Sequence, residues 1–192
     1  IEDNSGNSWI GTDAGLNRFN QLSGKSELFT FDAVNEIKHP FSNRVKSILI
    51  DKNGNIWVGL YFHGLFRFDP EKKEFISYQW IYNKQGFNVG DIFEDSHGFI
   101  WIGILSTGVI KFDPLSNKTE YFLENTENNL QKPGNSITTF YEDFRKRLWL
   151  GTLGSGLKYI DKKGKICNSV DSGEDENSLS EELIISINGD KE

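Results

Sequence analysis

Asp51-Lys52-Asn53-Gly54-Asn55-Ile56-Trp57-Val58-Gly59 reads as a turn followed by a strand. Asp bonds nearby backbone and Gly takes positive φ easily, so Asp51 to Gly54 is a tight turn. Ile56-Trp57-Val58 is apolar at successive positions, which suits a strand covered on both faces. The phrase recurs as Trp9-Ile10-Gly11, Trp101-Ile102-Gly103 and Trp149-Leu150-Gly151, so the four tryptophans stand 48, 44 and 48 residues apart. The preceding turn recurs as Asp3-x-x-Gly6, Asp95-x-x-Gly98 and Asp143, where Arg145-Lys146 replaces the glycine turn. A second phrase follows each tryptophan: Gly15-Leu16-x-Arg18-Phe19, Gly64-Leu65-x-Arg67-Phe68-Asp69, Gly108-Val109-x-Lys111-Phe112-Asp113 and Gly156-Leu157-x-Tyr159-Ile160-Asp161. A repeat of this length fixes the architecture before any residue is given a chemical role.

Working outward from Trp57, one copy resolves into four short strands. Val45–Ile50 is rich in β-branched and apolar residues and precedes the Asp51 turn. Asn55–Leu60 follows it, Tyr61-Phe62-His63 leads to Gly64–Asp69, and Glu74–Tyr78 closes the unit. Four antiparallel strands with tight turns, repeated with a bulky Trp where one sheet presses on the next, describe the blades of an all-β propeller. No segment sustains a 3.6-residue apolar period, which excludes a helical repeat. The blades are expected over 43–79, 88–123 and 135–170, with a partial blade of three strands over 1–34. Residues 183–192 read as the first strand of a next blade, centred on Ile184–Ile187. That gives about four blades, either closed as a small ring or forming an arc of a larger, seven-bladed type; the arc is the preferred reading. Ile1 opens inside a repeat, so a piece of a longer protein is expected.

The bulk composition excludes several classes of function. Of 192 residues 28 are acidic and 21 are Lys or Arg, a formal net charge of −7, so a broad affinity for nucleic acid or anionic lipid is not expected. Cys167 is the only cysteine, which excludes an intramolecular disulfide and a cysteine-rich zinc site. No apolar run approaches the ~20 residues of a membrane span. Membrane attachment is expected only through parts outside this chain.

The composite phrase, with Asn43-Arg44-Val45, Asn135-Ser136-Ile137 and Asn177-Ser178-Leu179-Ser180 leading into first strands, resembles the two-component regulator propeller repeat. The resemblance covers nearly the whole chain. It departs at the fourth turn, and at Leu60 and Ile104, where Thr is usual. It implies the periplasmic sensor part of a hybrid two-component regulator of glycan-degrading bacteria, with an oligosaccharide ligand, a homodimeric parent protein and a histidine kinase beyond the membrane. The repeat encodes the scaffold and does not mark ligand residues.

No catalytic residue, cofactor or metal ligand is expected. Counted from Asp51, a calcium loop would need Gly and Glu where Ile56 and Phe62 stand. His39, His63 and His97 have no second ligand at metal spacing. Gly24-Lys25-Ser26 lacks the earlier glycine of a phosphate loop and joins strands. Glu94-Asp95 and Glu142-Asp143 are adjacent strand residues that point to opposite faces, so neither forms a catalytic pair. Recognition is therefore expected on the loops between blades and those between second and third strands, which differ among copies while the frame repeats. Trp80, the one tryptophan outside the repeated phrase, stands with Tyr82, Asn83 and Lys84 as the first candidate; it suits either the apolar face of a sugar or local packing. Tyr61 and His63 are the second, and Arg44 is a candidate partner for an acidic ligand. The rival readings are a protein-interaction scaffold and a metal-dependent propeller lyase or hydrolase.

Overall fold

The computed structural model describes residues 1–31, 43–81, 87–122, 136–161, 164–170, 178–179 and 181–189. Among these residues, fifteen strands fall into four antiparallel sheets. The first has three: β1 (Asn7–Thr12), β2 (Gly15–Asn20) and β3 (Lys25–Phe29). The second has β4 (Val45–Ile50), β5 (Ile56–Leu60), β6 (Gly64–Asp69) and β7 (Glu74–Ser77), in chain order across the sheet. The third has β8 (Val89–Glu94), β9 (Ile100–Ile104), β10 (Gly108–Asp113) and β11 (Lys118–Phe122). The fourth has β12 (Ile137–Glu142), β13 (Leu148–Thr152), β14 (Leu157–Ile160) and β15 (Ile166–Val170). A single 3-10 turn at Gln79–Ile81 is the one helical element among the described residues. Each sheet is the simple meander expected of a blade, which puts the Asp turns at one end and the 2–3 loops at the other.

The chain divides into two compact units, Ile1–Ile92 and Phe93–Glu192. In the first, Trp9 and Phe29 of one sheet meet Phe68 of the next at ring distances of 5.4 and 4.6 Å, with Val58, Leu60 and Phe66 around them. In the second, Trp101, Val109 and Phe122 pack with Ile137, Phe140 and Leu150. β5 and β9 are buried at every position, which is why they read as unbroken apolar runs.

The glycine after each tryptophan explains how neighbouring sheets come so close. A Cβ on Gly11, Gly59 or Gly103 would lie 2.9 Å from the Cβ of Val45, Val89 or Ile137, in each case the residue that opens the first strand of the next sheet. Gly151 repeats the arrangement, its Cβ position lying 3.1 Å from Ile184 Cβ. Only a residue without a side chain lets the β-branched residue seat there. Ile184–Ile187, expected as a strand, is not one: the segment carries an isolated bridge, Leu153 to Leu183, and a bond from Ile184 N–H to Thr152 O of 2.9 Å. It takes the contact of a first strand without a hairpin partner to complete the ladder.

Candidate functional site

One hydrogen-bonded unit recurs at the Asp-turn end of every sheet. The indole Nε1 of Trp9, Trp57, Trp101 and Trp149 donates to Oδ2 of Asp3, Asp51, Asp95 and Asp143 at 2.8, 2.8, 2.8 and 2.9 Å. The other carboxylate oxygen accepts backbone N–H groups two and four residues on, as from Asn53 and Asn55 to Asp51 at 2.9 and 2.8 Å. The acidic residue therefore caps its turn and anchors its tryptophan at once. The constant interval of six residues from Asp to Trp was the sequence signal for this bond. The cation of the second phrase lies opposite the tryptophan in the register, Arg18 to Trp9, Arg67 to Trp57 and Lys111 to Trp101. Arg18 lies 5.9 Å from the Trp9 ring and Lys111 5.5 Å from that of Trp101. The repeated charges are thereby accounted for by the scaffold.

The turn end also carries two clefts. One, of about 540 Å³, is lined by Asn7, Arg18, Asn20, Lys25 and Glu27. Glu27 there takes Arg18 and Lys73 at 2.6 Å each, and those two bonds hold its carboxyl below the usual range, Lys73 contributing most. The other, of about 330 Å³, lies among Trp101, Lys111, Glu120, Glu142 and Lys146. Glu142 is committed to Ser96, whose N–H and hydroxyl donate at 3.1 and 2.9 Å. Asp143 beside it serves Trp149 instead, so adjacent carboxylates do separate work. The first cleft is lined by the first sheet alone, and the second lies between the third and fourth sheets.

The loop end is where the copies differ. Arg44 Nε meets Asp13 Oδ1 at 3.1 Å, and its guanidinium lies 5.1 Å from the centre of the Tyr61 ring. Tyr61 stands edge-on to Phe62 at 4.3 Å. Phe62 holds a φ of 75°, a conformation disfavoured for a bulky side chain, and its N–H donates to Asn88 Oδ1. His63 keeps its Nε2 out of solvent, and its carbonyl accepts from Gln79 Nε2 at 3.0 Å, which ties the loop to the 3-10 turn carrying Trp80. Trp80 is 54 % exposed and leans on Tyr78 at 6.0 Å; Tyr78 in turn stands against Trp57 at 4.9 Å. A chain of rings thus runs from the buried scaffold tryptophan to an open one. Tyr82, Asn83 and Lys84 lie outside the described residues, as does His39; His97 is exposed in its turn. Among the described residues no group of three His, Cys, Asp or Glu is placed to hold a metal ion, and no helix is long and apolar enough to cross a membrane.

The sequence model of the two component regulator propeller matches residues 40–62 and 131–154. Those two segments match the regulator propeller repeat. In that repeat the Asp–Trp unit and the close-approach glycine are the parts built four times over. Histidine kinase P4 of Formosa agariphila is 33% identical over 81 residues, which are 40% of this chain and 6% of that protein. Extracellular domains of a putative hybrid two component system and a putative one component system from B. thetaiotaomicron superpose with TM-scores of 0.74 and 0.77 at 21% and 23% identity. They cover 94% and 97% of this chain, which spans 23% and 24% of theirs. A virginiamycin B lyase from Staphylococcus aureus superposes at 0.66 with 16% identity, over 87% of this chain and 53% of that one. The regulator repeats fold here as β-propeller blades.

Proposed function

We propose that this chain is a non-catalytic, ligand-sensing segment of the periplasmic part of a two-component regulator, that its ligand is an oligosaccharide, and that a dimeric parent protein relays binding to a histidine kinase. The observation that carries the reading is the asymmetry between the two ends of the sheets. At the turn end every charged repeat position is occupied by scaffold bonds. At the loop end the copies diverge and present an open ring, Trp80, beside Gln79, and a cation stacked on an aromatic, Arg44 on Tyr61. Apolar ring faces with a few placed polar groups suit a sugar, whose own faces are apolar and whose edges carry hydroxyls. Binding alters signalling only by favouring one arrangement of the parent protein over another.

The likeness to a lyase favours a second reading, a metal-dependent propeller enzyme. Elemental analysis of the purified chain separates the two, since a stoichiometric metal would support the enzyme. For the sensor, calorimetric titration against an oligosaccharide panel is the test. Trp80→Ala is expected to weaken binding at least about tenfold with unchanged melting, the loss of one stacked aromatic at a recognition site. Normal binding by that variant would remove Trp80 from the site.

A further inference from the structure

Three of the four 2–3 loops dock on the segment leading into the following sheet through neutral groups. Phe62 N–H donates to Asn88 Oδ1, Ser106 N–H to Ser136 Oγ and Gly154 N–H to the carbonyl of Glu182. At the same place in the first copy stands an ion pair, Asp13 to Arg44 at 3.1 Å. Asp13 is the only acidic residue among Thr12-Asp13-Ala14, Tyr61-Phe62-His63, Leu105-Ser106-Thr107 and Leu153-Gly154-Ser155. Arg44 is the only cation in the set Arg44, Asn88, Ser136 and Leu183 that fills the facing position. The scaffold closes this joint without charge elsewhere, so the ion pair is an addition to it. The pair is also open to solvent, with the Asp13 side chain 76% exposed and that of Arg44 37%. Water and salt screen such a pair, and an incoming anion displaces the carboxylate at small cost.

We propose that Arg44 and Tyr61 form a subsite for the carboxylate-bearing ring of an acidic oligosaccharide, with Asp13 as its internal competitor for the guanidinium. The proposal rests on the sugar-sensing reading and narrows it to uronate-containing ligands. A guanidinium presents planar paired N–H groups that match a carboxylate, and a ring lying beneath it offers the apolar surface a pyranose needs. Asp13 and a uronate carry the same group, so they compete for the same donors. The edge contact of Tyr61 with Phe62 fixes the ring in place before a ligand arrives.

The test is calorimetric titration of the 192-residue chain with oligogalacturonate, oligoglucuronate and oligomannuronate, each beside its methyl ester, which has the same shape without the charge. At least one acid form is expected to bind about tenfold tighter than its ester at low salt, with the gap closing as salt rises. Asp13→Asn is expected to tighten that acid form about two- to fivefold and leave the ester unchanged. Arg44→Gln is expected to erase the preference for acid over ester, with circular dichroism melts confirming that both variants fold. Equal binding of acids and esters, or an Asp13→Asn chain that binds the acid no tighter, would overturn this proposal alone. Failure of every acid and ester, together with the neutral panel above, would remove the sugar reading and this subsite with it.

Discussion

The second and fourth copies build the same joint from different residues. In the second, Gly54 turns the chain at a φ of 81°, Asp51 caps the turn, and Trp57 is sealed at 1 % exposure opposite Arg67. In the fourth, Lys146 takes the left-handed turn at 63° in place of glycine, and Tyr159 stands where the cation of the second phrase belongs. Arg147, from the turn itself, makes up the loss: its Nε meets Asp143 at 2.7 Å and its guanidinium lies 4.9 Å from the Trp149 ring. Trp149 is only half-buried, while the other three repeat tryptophans are buried. The carboxylate–indole bond is thus the invariant part of the unit, and the glycine and the cation are replaceable supports.

This contrast breaks most sharply at the tryptophans. Trp57→Ala is expected to cost about 4 kcal/mol in urea unfolding, as for other buried large rings, and Trp149→Ala about half that. Equal costs would show that exposure of the fourth ring does not matter. Next come the carboxylates. Asp51→Ala strands a buried indole N–H and several turn N–H groups, for about 3 kcal/mol, whereas Asp143→Ala leaves groups that water reaches and should cost about 1 to 2 kcal/mol. Adding a methyl at the close-approach glycines comes third. Gly59→Ala drives into Val89 of β8 and is expected to cost about 2 kcal/mol, and Gly151→Ala about the same, because its methyl meets Thr139 of β12 as well as Ile184.

Acid sharpens the comparison further. Burial works to raise the Asp143 carboxyl, but bonds from Trp149 and from the Arg147 backbone and side chain outweigh it and bring it down to about 2. A folded value below the ordinary 3.8 means that stability is present above about pH 4 and lost as pH falls from there through about 2. Asp143→Asn should flatten that part of an acid titration of stability, and an unchanged slope would deny the carboxylate its role. The smallest effect is expected at Lys146→Gly, which relieves the left-handed turn while giving up a 3.6 Å ion pair to Glu142, for a gain of no more than about 1 kcal/mol.

Much of this was legible in the residues. The four copies, the strands of the second blade to within a residue at each end, and the three-stranded first sheet all follow from glycine turns and apolar runs. The double duty of Asp51 and the stacking of Arg18 and Lys111 on tryptophans were not read, although the fixed Asp-to-Trp interval and the hairpin register contained them. Turn chemistry alone accounted for the aspartates, and nothing local demanded a second partner. At the loop end, Trp80 stood out as the one tryptophan outside the repeated phrase, and Arg44 as a cation suited to an acidic ligand. Asp13, the partner of Arg44, did not, because that contact joins segments far apart in the chain.

Sequence by itself determined that this protein is built of short antiparallel β blades, since periodic turns and doubly covered strands admit few other solutions. Which charges are taken up by the repeated Asp–Trp unit was decided by tertiary structure alone. Arg18 and Arg44 look alike as residues; one pairs with Glu27 over the repeat tryptophan Trp9, and the other pairs with Asp13 over Tyr61 of a variable loop. The physical reason is that strand patterns depend on neighbours a few residues away, whereas the environment of a charge depends on whatever the fold brings beside it.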